Sequence, residues 1–210
     1  MSIIVDDHET IPVDASASVG DSCLLKTENQ KLKTAEVGMI CFLASEVAFF
    51  GTLIMAYVIF LRHGDGGPTP ANTLSLGLVV LNTIALIVSS VTLHFAEKAL
   101  HCGKRGTFHI LWGITILLGI SFVGGTLFEW KGLIHDKGLT IGRNMFGTTF
   151  YTLVGFHAFH VTMGVVALTA VFFITIKNNV TVPVTLIGWY WHFVDVVWII
   201  VFLVVYVFGR

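Results

Sequence analysis

The stretch that decides the fold is Val37–Leu61, VGMICFLASEVAFFGTLIMAYVIFL, an apolar run whose only charged residue is Glu46. At ~1.5 Å per residue, a helix of this length would be roughly 37 Å long, enough to cross the ~30 Å hydrocarbon core of a bilayer with some tilt. Glu46 would then lie near the middle of the membrane. A carboxylate at that depth costs at least ~2.5 kcal/mol, so it needs a polar partner, water or a proton.

The composition of the whole chain also indicates a membrane protein. Of its 210 residues, 55% are hydrophobic and 12% are charged, whereas soluble domains carry roughly 25% charged residues. The net charge of −1 argues against a nucleic-acid partner. The cysteines, Cys23, Cys41 and Cys102, are odd in number and form no CxxC motif, so neither a disulfide framework nor a zinc site is expected.

Four more apolar runs follow the first, and each is long enough to cross a bilayer. The predicted spans are 37–61, 74–95, 108–128, 148–176 and 184–208. None contains proline, which would remove a backbone hydrogen bond from a helix interior. We therefore predict an all-α fold, an integral membrane bundle of five transmembrane helices within residues 36–210. Residues 1–35 lack apolar periodicity and are predicted to form a polar N-terminal tail.

The basic residues indicate an orientation. The short connection KALHCGKRG (98–106) carries the clearest cluster of positive charge, and such clusters favour the cytoplasmic side. An odd number of spans places the termini on opposite sides. The N-terminus is therefore predicted to be cytoplasmic and the C-terminus to lie on the outer side.

The ionisable residues of three spans are predicted to converge on one layer. The first and fifth helices run in the same direction, so Glu46 and Asp195 share a depth, and His192 is one turn from Asp195. His157 and His160 lie near the middle of the fourth span. Polar groups inside a membrane usually satisfy one another, so Glu46 is expected to contact His157, His160 or His192.

Other polar and aromatic residues have simpler interpretations. The secondary polar positions are His94, Glu97 and Glu129, and for the two glutamates at span ends a solvated flank is the simpler interpretation. Trp189, Tyr190 and Trp191, near the start of the fifth span, are interpreted as an interfacial aromatic belt.

The residues alone leave the role of the polar layer open. Three histidines and two carboxylates could in principle hold a metal, but di-metal sites in bundles normally use Glu-x-x-His pairs. A haem between His157 and His192 is disfavoured because each histidine has a nearer partner. A proton-coupled transporter centred on Glu46 is the stronger rival, although the chain shows neither inverted repeats nor broken helices.

Three motifs, in order along the chain, carry a family resemblance: FLASEVAFF (Phe42–Phe50), GFHAFHVTMG (Gly155–Gly164) and WYWHFVDVVW (Trp189–Trp198). Together they resemble subunit III of haem-copper terminal oxidases. The resemblance covers about 33–210, and the number of spans is similar to that of the short bacterial form. By this resemblance Glu46 matches the family's carbodiimide-reactive intramembrane carboxylate, and the remaining polar positions are matched by His157, His160, His192 and Asp195.

The resemblance implies an accessory subunit of a proton-pumping cytochrome c oxidase or quinol oxidase in the bacterial inner membrane. Such a subunit has no catalytic residue, metal or cofactor of its own, and haem and copper are expected in partner subunits. It packs on the catalytic subunit I and supports the stability and proton uptake of the complex. Phospholipids and a respiratory supercomplex are further implied partners. A related subunit of nitric-oxide reductase systems, which shares the fold and the motifs, is the alternative within this resemblance.

Overall fold

The computed structural model describes residues 14–61, 76–135, 145–177 and 182–208, with side chains described in 33–60, 77–135, 147–177 and 183–208. Within these ranges five α-helices follow one another: α1 Asp14–Leu61, α2 Leu76–His101, α3 Arg105–His135, α4 Met145–Lys177 and α5 Val182–Phe202. A single π-helical turn, Leu203–Val207, continues α5. Each of the five helices contains a stretch long and apolar enough to cross a membrane. The predicted all-α fold with five membrane-spanning helices is confirmed.

Several helices extend beyond the predicted spans. Helix α3 begins at Arg105 and continues past the predicted end at 128 to His135, and α2 continues from the predicted end at 95 to His101. A helix satisfies its own backbone hydrogen bonds, so it can leave the apolar layer without ending. Helix α1 begins at Asp14 and includes much of the predicted tail. The division of the chain into a tail and a membrane domain stays a prediction.

The chain separates into two compact units, Met1–Ile40 and Cys41–Arg210. The described part of the first unit belongs to helix α1. The second unit contains the rest of α1 and all the other helices.

A tight turn joins α2 to α3. Gly103 adopts a positive φ of 72°, a conformation that glycine reaches without the steric cost of a side chain. The amide of Gly103 donates to the carbonyl of Leu100 at 3.0 Å, and the amide of Lys104 donates to Ala99 at 2.9 Å. These bonds satisfy carbonyls at the end of α2 and reverse the chain direction within a few residues.

Trp191 of α5 lies at the centre of the bundle and is fully buried. Its indole nitrogen donates to the hydroxyl of Ser89 on α2 at 3.0 Å. A Cβ atom at Gly119 of α3 would lie 2.7 Å from the Trp191 ring, and one at Gly164 of α4 would lie 2.9 Å from it. Small residues let transmembrane helices approach closely, and these two glycines make room for the ring.

Helix α1 is much less enclosed than α5. In the most apolar 18-residue window of each span, 6% of the residues are buried in α1 and 50% in α5. The small residues Ala44, Ala48 and Gly51 are exposed on α1, and a Cβ at Gly51 would meet no atom within 4 Å. The attachment of α1 to the bundle therefore depends on the side chains of a limited set of residues.

Candidate functional site

Glu46 on α1 contacts His160 on α4. The distance between Oε2 of Glu46 and Nε2 of His160 is 3.0 Å, with 16% and 12% of the two side chains exposed. The two atoms are close, but their alignment does not meet the geometry of a hydrogen bond. Aromatic rings surround the pair, and the Phe50 ring centroid lies 5.0 Å from that of His160. Glu46 therefore has one of the three partners expected for it.

The contact of the second ring nitrogen of His160 shows which of its two nitrogens carries a hydrogen. Its Nδ1 lies 2.7 Å from the carbonyl oxygen of Phe156. A carbonyl only accepts, so Nδ1 carries a hydrogen, and in the neutral ring Nε2 is then an acceptor. The contact with Glu46 needs one more proton, held either by the Glu46 carboxyl group or by His160. Both arrangements leave the pair with no net charge, which is the form that an apolar layer tolerates.

His157, one turn before His160, has a different environment. It is fully buried, and neither ring nitrogen has a hydrogen-bond partner in the described part of the chain. The ring stacks on Trp198 of α5, with a centroid distance of 4.8 Å and an interplanar angle of 26°. It meets the edge of Phe122 at 5.8 Å. A histidine with this surrounding behaves as a flat apolar ring, so packing accounts for its position.

His192 and Asp195 on α5 face α2. Nδ1 of His192 lies 2.6 Å from the hydroxyl oxygen of Ser90. Ser90 also interacts with the Asp195 carboxyl group. Asp195 is 5% exposed, and within the described residues neither of its carboxylate oxygens has a partner with full hydrogen-bond geometry. The predicted layer is therefore divided between an α1–α4 contact and an α2–α5 contact.

The secondary polar positions are distributed over both ends of the bundle. His94 is exposed and lies near His192. The carboxyl group of Glu97 packs against Gly188 of α5, in the space that a Cβ atom would occupy. Glu129 lies close to Tyr206 of the π-helical turn, without the geometry of a hydrogen bond. Oε1 of each glutamate is buried, so their interpretation as solvated flanks is wrong.

Sequence reasoning missed the hydroxyl groups of α2. Ser89 accepts from Trp191, Ser90 contacts His192, and Thr83 accepts from the indole nitrogen of Trp198 at 3.0 Å. Two adjacent serines within an apolar span were the available signal, since each needs a partner at that depth.

The interpretation of Trp189–Trp191 as an interfacial belt is wrong for two of its three residues. Tyr190 is 8% exposed and Trp191 is fully buried, whereas Trp189 is 37% exposed. The Tyr190 hydroxyl donates to the carbonyl of His160 at 2.9 Å. These rings fill the bundle because the glycines of neighbouring helices leave room for them.

Within the described residues, no group of three or more His, Cys, Asp or Glu side chains is arranged to hold a metal ion. The predicted cluster therefore consists of separate contacts between pairs of helices.

The family model described as cytochrome c oxidase subunit III matches residues 21–210. The chain belongs to the cytochrome c oxidase subunit III family. All the candidate residues described above lie within the matched range, and the five spans make this family member a multi-pass membrane protein. The family predicted from the three motifs is confirmed.

Relatives within the subunit III family come from several bacteria. The chain is 34% identical over 182 residues to cytochrome c oxidase subunit 3 of Bacillus subtilis, covering 85% of this chain and 88% of the relative. It is 33% identical over 179 residues to cytochrome bo(3) ubiquinol oxidase subunit 3 of Pseudomonas aeruginosa, covering 82% and 84%. It is 35% identical over 177 residues to cytochrome c oxidase subunit 3 of Corynebacterium diphtheriae, covering 81% and 86%.

Proposed function

We propose that this chain is an accessory, redox-inactive subunit of a proton-pumping haem-copper terminal oxidase in a bacterial plasma membrane. The observation that carries the proposal is the family match across 21–210, which includes all five candidate membrane spans. Relatives named as subunits of cytochrome c oxidases and of quinol oxidases cover more than four fifths of the chain. Haem and copper then belong to partner subunits, and oxygen reduction takes place there.

In this role Glu46 is chiefly structural. Helix α1 buries few of its residues, so the contact of Glu46 with His160 is one of a limited set that holds it to α4. The ring of Phe49 supports the same attachment, with its centroid 5.1 Å from that of Phe156. A neutral pair at mid-membrane avoids the cost of an isolated charge. The chain then supports the stability and proton uptake of the catalytic subunit by keeping a defined surface against it.

The proposed orientation follows the distribution of basic residues. The turn between α2 and α3 carries Lys98, Lys104 and Arg105, all exposed. The positive-inside rule places this turn in the cytoplasm, and with it the N-terminal end of α1. A reporter enzyme that is active on one side of the membrane, fused at Gly103 or at the C-terminus, tests the orientation. Activity of an externally active reporter at Gly103 would contradict it.

Isolation of the intact complex tests the proposed function. A tagged chain should be purified from membranes in mild detergent, its visible spectrum recorded and the co-purifying chains identified. Haem and copper subunits of a terminal oxidase are expected. Recovery with a nitric-oxide reductase would replace the proposal with the related subunit, and recovery of the chain alone as a stable bundle would favour a transporter centred on Glu46.

A substitution at Glu46 tests its structural role. Glu46→Gln should leave the assembly and the initial turnover of the oxidase largely intact, because an amide can still contact His160. Loss of activity during prolonged turnover should be faster than in the wild type. Ser45→Ala, on the same helix with an exposed hydroxyl bonded to Phe42, is the matched control and should change neither property. Complete loss of oxygen reduction in an assembled Glu46→Gln enzyme would instead make Glu46 part of an obligatory proton path.

A further inference from the structure

Helices α2 and α5 face each other along six residues, which we call the polar seam. The α2 residues are Ser90, His94 and Glu97, and the α5 residues are Gly188, His192 and Asp195. In each helix the spacing is i, i+4 and i+7, which puts the three residues on one face. The helices are antiparallel, because successive contacts join later residues of α2 to earlier residues of α5.

The seam residues follow one another along the facing surfaces of α2 and α5. At the buried end, the Ser90 hydroxyl oxygen lies 2.6 Å from Nδ1 of His192. It is also close to the Asp195 carboxyl group, although the two are not aligned as a hydrogen bond. His94 comes next on α2 and is near His192. At the end of the seam near the C-terminus of α2, the Glu97 carboxyl group packs against Gly188. Exposed residues follow Glu97 at the end of α2 and in the turn to α3, namely Lys98 and 101–104. This end of the seam therefore opens towards the aqueous phase.

Asp195 is a buried carboxyl group, and its proton reaches water only along a line of polar groups. It is 95% buried, and no lysine or arginine contacts it among the described residues. On the helices packed against it, α2 carries the titratable groups His94, Glu97, Lys98 and His101, and α4 carries His157, which stacks on Trp198. His160 of α4 accepts at its carbonyl from the Tyr190 hydroxyl, and its ring contacts Glu46 of α1. An unpaired charge in an apolar interior is costly, so the carboxyl group keeps its proton at rest.

Among the described residues, aromatic rings lie on the opposite side of Asp195. One turn further along α5, the Trp198 ring lies between Phe122 and His157, at centroid distances of 4.8 Å from each. The indole nitrogen of Trp198 is already bonded to Thr83, and His157 has no hydrogen-bond partner in the described part of the chain. Aromatic rings without exchangeable partners do not pass protons. The seam is thus the polar connection between Asp195 and water.

We propose that the α2–α5 seam is the path by which the buried Asp195 exchanges its proton with the aqueous phase at the C-terminal end of α2. Asp195 gives its proton to the Ser90 oxygen while the Ser90 hydroxyl gives its own to Nδ1 of His192. His192 releases a proton from Nε2 towards His94 and Glu97, and the reverse sequence refills Asp195. No proton is gained or lost overall. The path is a property of this chain and does not rest on the proposed oxidase function.

Hydrogen–deuterium exchange of Asp195 tests the path in the intact complex. The infrared band of its protonated carboxyl group is identified by its loss in Asp195→Asn. After a change from H₂O to D₂O, the band should shift promptly in the wild type. Ser90→Ala removes the hydroxyl that links Asp195 to His192 and should slow the shift about tenfold or more, the factor given by ~1.4 kcal/mol in a barrier. Ser121→Ala, an exposed serine of α3, is the control and should not change it.

A second variant changes the end of the seam near the C-terminus of α2 without removing a polar group. Gly188→Ala places a Cβ where the Glu97 carboxyl group lies and pushes this flexible side chain out of the seam. It should also slow the exchange of Asp195, whereas Gly77→Ala, where a Cβ meets nothing within 4 Å, should not. Retention of the chain in the purified complex, measured on the same samples, separates a blocked path from a misfolded chain. Wild-type exchange rates in assembled Ser90→Ala and Gly188→Ala complexes, or the absence of an Asp195 carboxyl band, would overturn the proposal.

Discussion

Replacing Gly119 with alanine tests how tightly the centre of the bundle is packed. A Cβ atom at this position would lie 2.7 Å from Cη2 of Trp191 and 2.8 Å from Cγ2 of Val165. Ordinary carbon–carbon contacts are about 3.5 Å or longer, so the ring or the helix must move by about 0.8 Å. The ring has little freedom, because its nitrogen is bonded to Ser89 and its Cε3–Cζ3 edge lies over Gly164.

The expected magnitude follows from two opposing effects. Overpacking of a filled core costs ~1–3 kcal/mol, whereas alanine in place of glycine favours a helix interior by ~1 kcal/mol. Gly124 lies on the same helix, and a Cβ there would meet nothing within 4 Å, so Gly124→Ala receives only the favourable effect. The difference between the two variants is therefore ~1–3 kcal/mol, or roughly 5- to 150-fold in an equilibrium constant.

The assay is thermal release of the chain from the oxidase. The purified complex is heated in detergent, and the fraction that retains this chain is measured against temperature for each variant. Gly119→Ala should release the chain at a lower temperature than Gly124→Ala, which should be at least as stable as the wild type. Equal midpoints for the two alanine variants would refute the close packing of Trp191 on α3.

The same assay checks two other substitutions in the bundle. Trp191→Phe removes the donor to Ser89, whose hydroxyl still donates to the Leu86 carbonyl. The lost hydrogen bond should cost about 0.5–1.5 kcal/mol, against about 3–5 kcal/mol for Trp191→Ala. Equal losses for the two variants would contradict this ranking. His157→Phe should leave retention unchanged or raise it, because phenylalanine can stack on Trp198 without burying two unpartnered nitrogens. A loss as large as that of His157→Ala would show that a ring nitrogen is needed.

The number and type of helices were predictable because they depend on the length of the apolar runs. The helix ends were less predictable, and α3 shows why. The predicted span ended before Glu129, since a charged residue marks the edge of an apolar run. In the structure the helix continues past Glu129, whose Oε1 is buried in the bundle, so a carboxyl group that packs against neighbouring helices does not end the span.

Helix direction limited the possible partners of each polar residue, but the rotation of each helix about its axis was not predictable. In a soluble protein the polar face of a helix identifies its solvent side. In a membrane both the lipid and the interior are apolar, so the pattern of α5 does not indicate which neighbour its histidine faces. Glu46 was therefore assigned three candidate partners, of which His160 is the one in contact. His192 was expected in the same group and instead contacts Ser90 of α2.

The polar contacts also explain how apolar helices choose their neighbours. Lipid tails and leucine side chains offer each other similar contacts, so apolar surface alone gives little preference between partners in a bilayer. The α2–α5 pair has three polar contacts from hydroxyl groups of α2, namely Thr83 with Trp198, Ser89 with Trp191 and Ser90 with His192. A shift of α5 by one turn would break all of them at once and leave the indole and imidazole nitrogens without partners. The polar residues of this chain therefore fix the register of the bundle, whether or not any of them moves a proton.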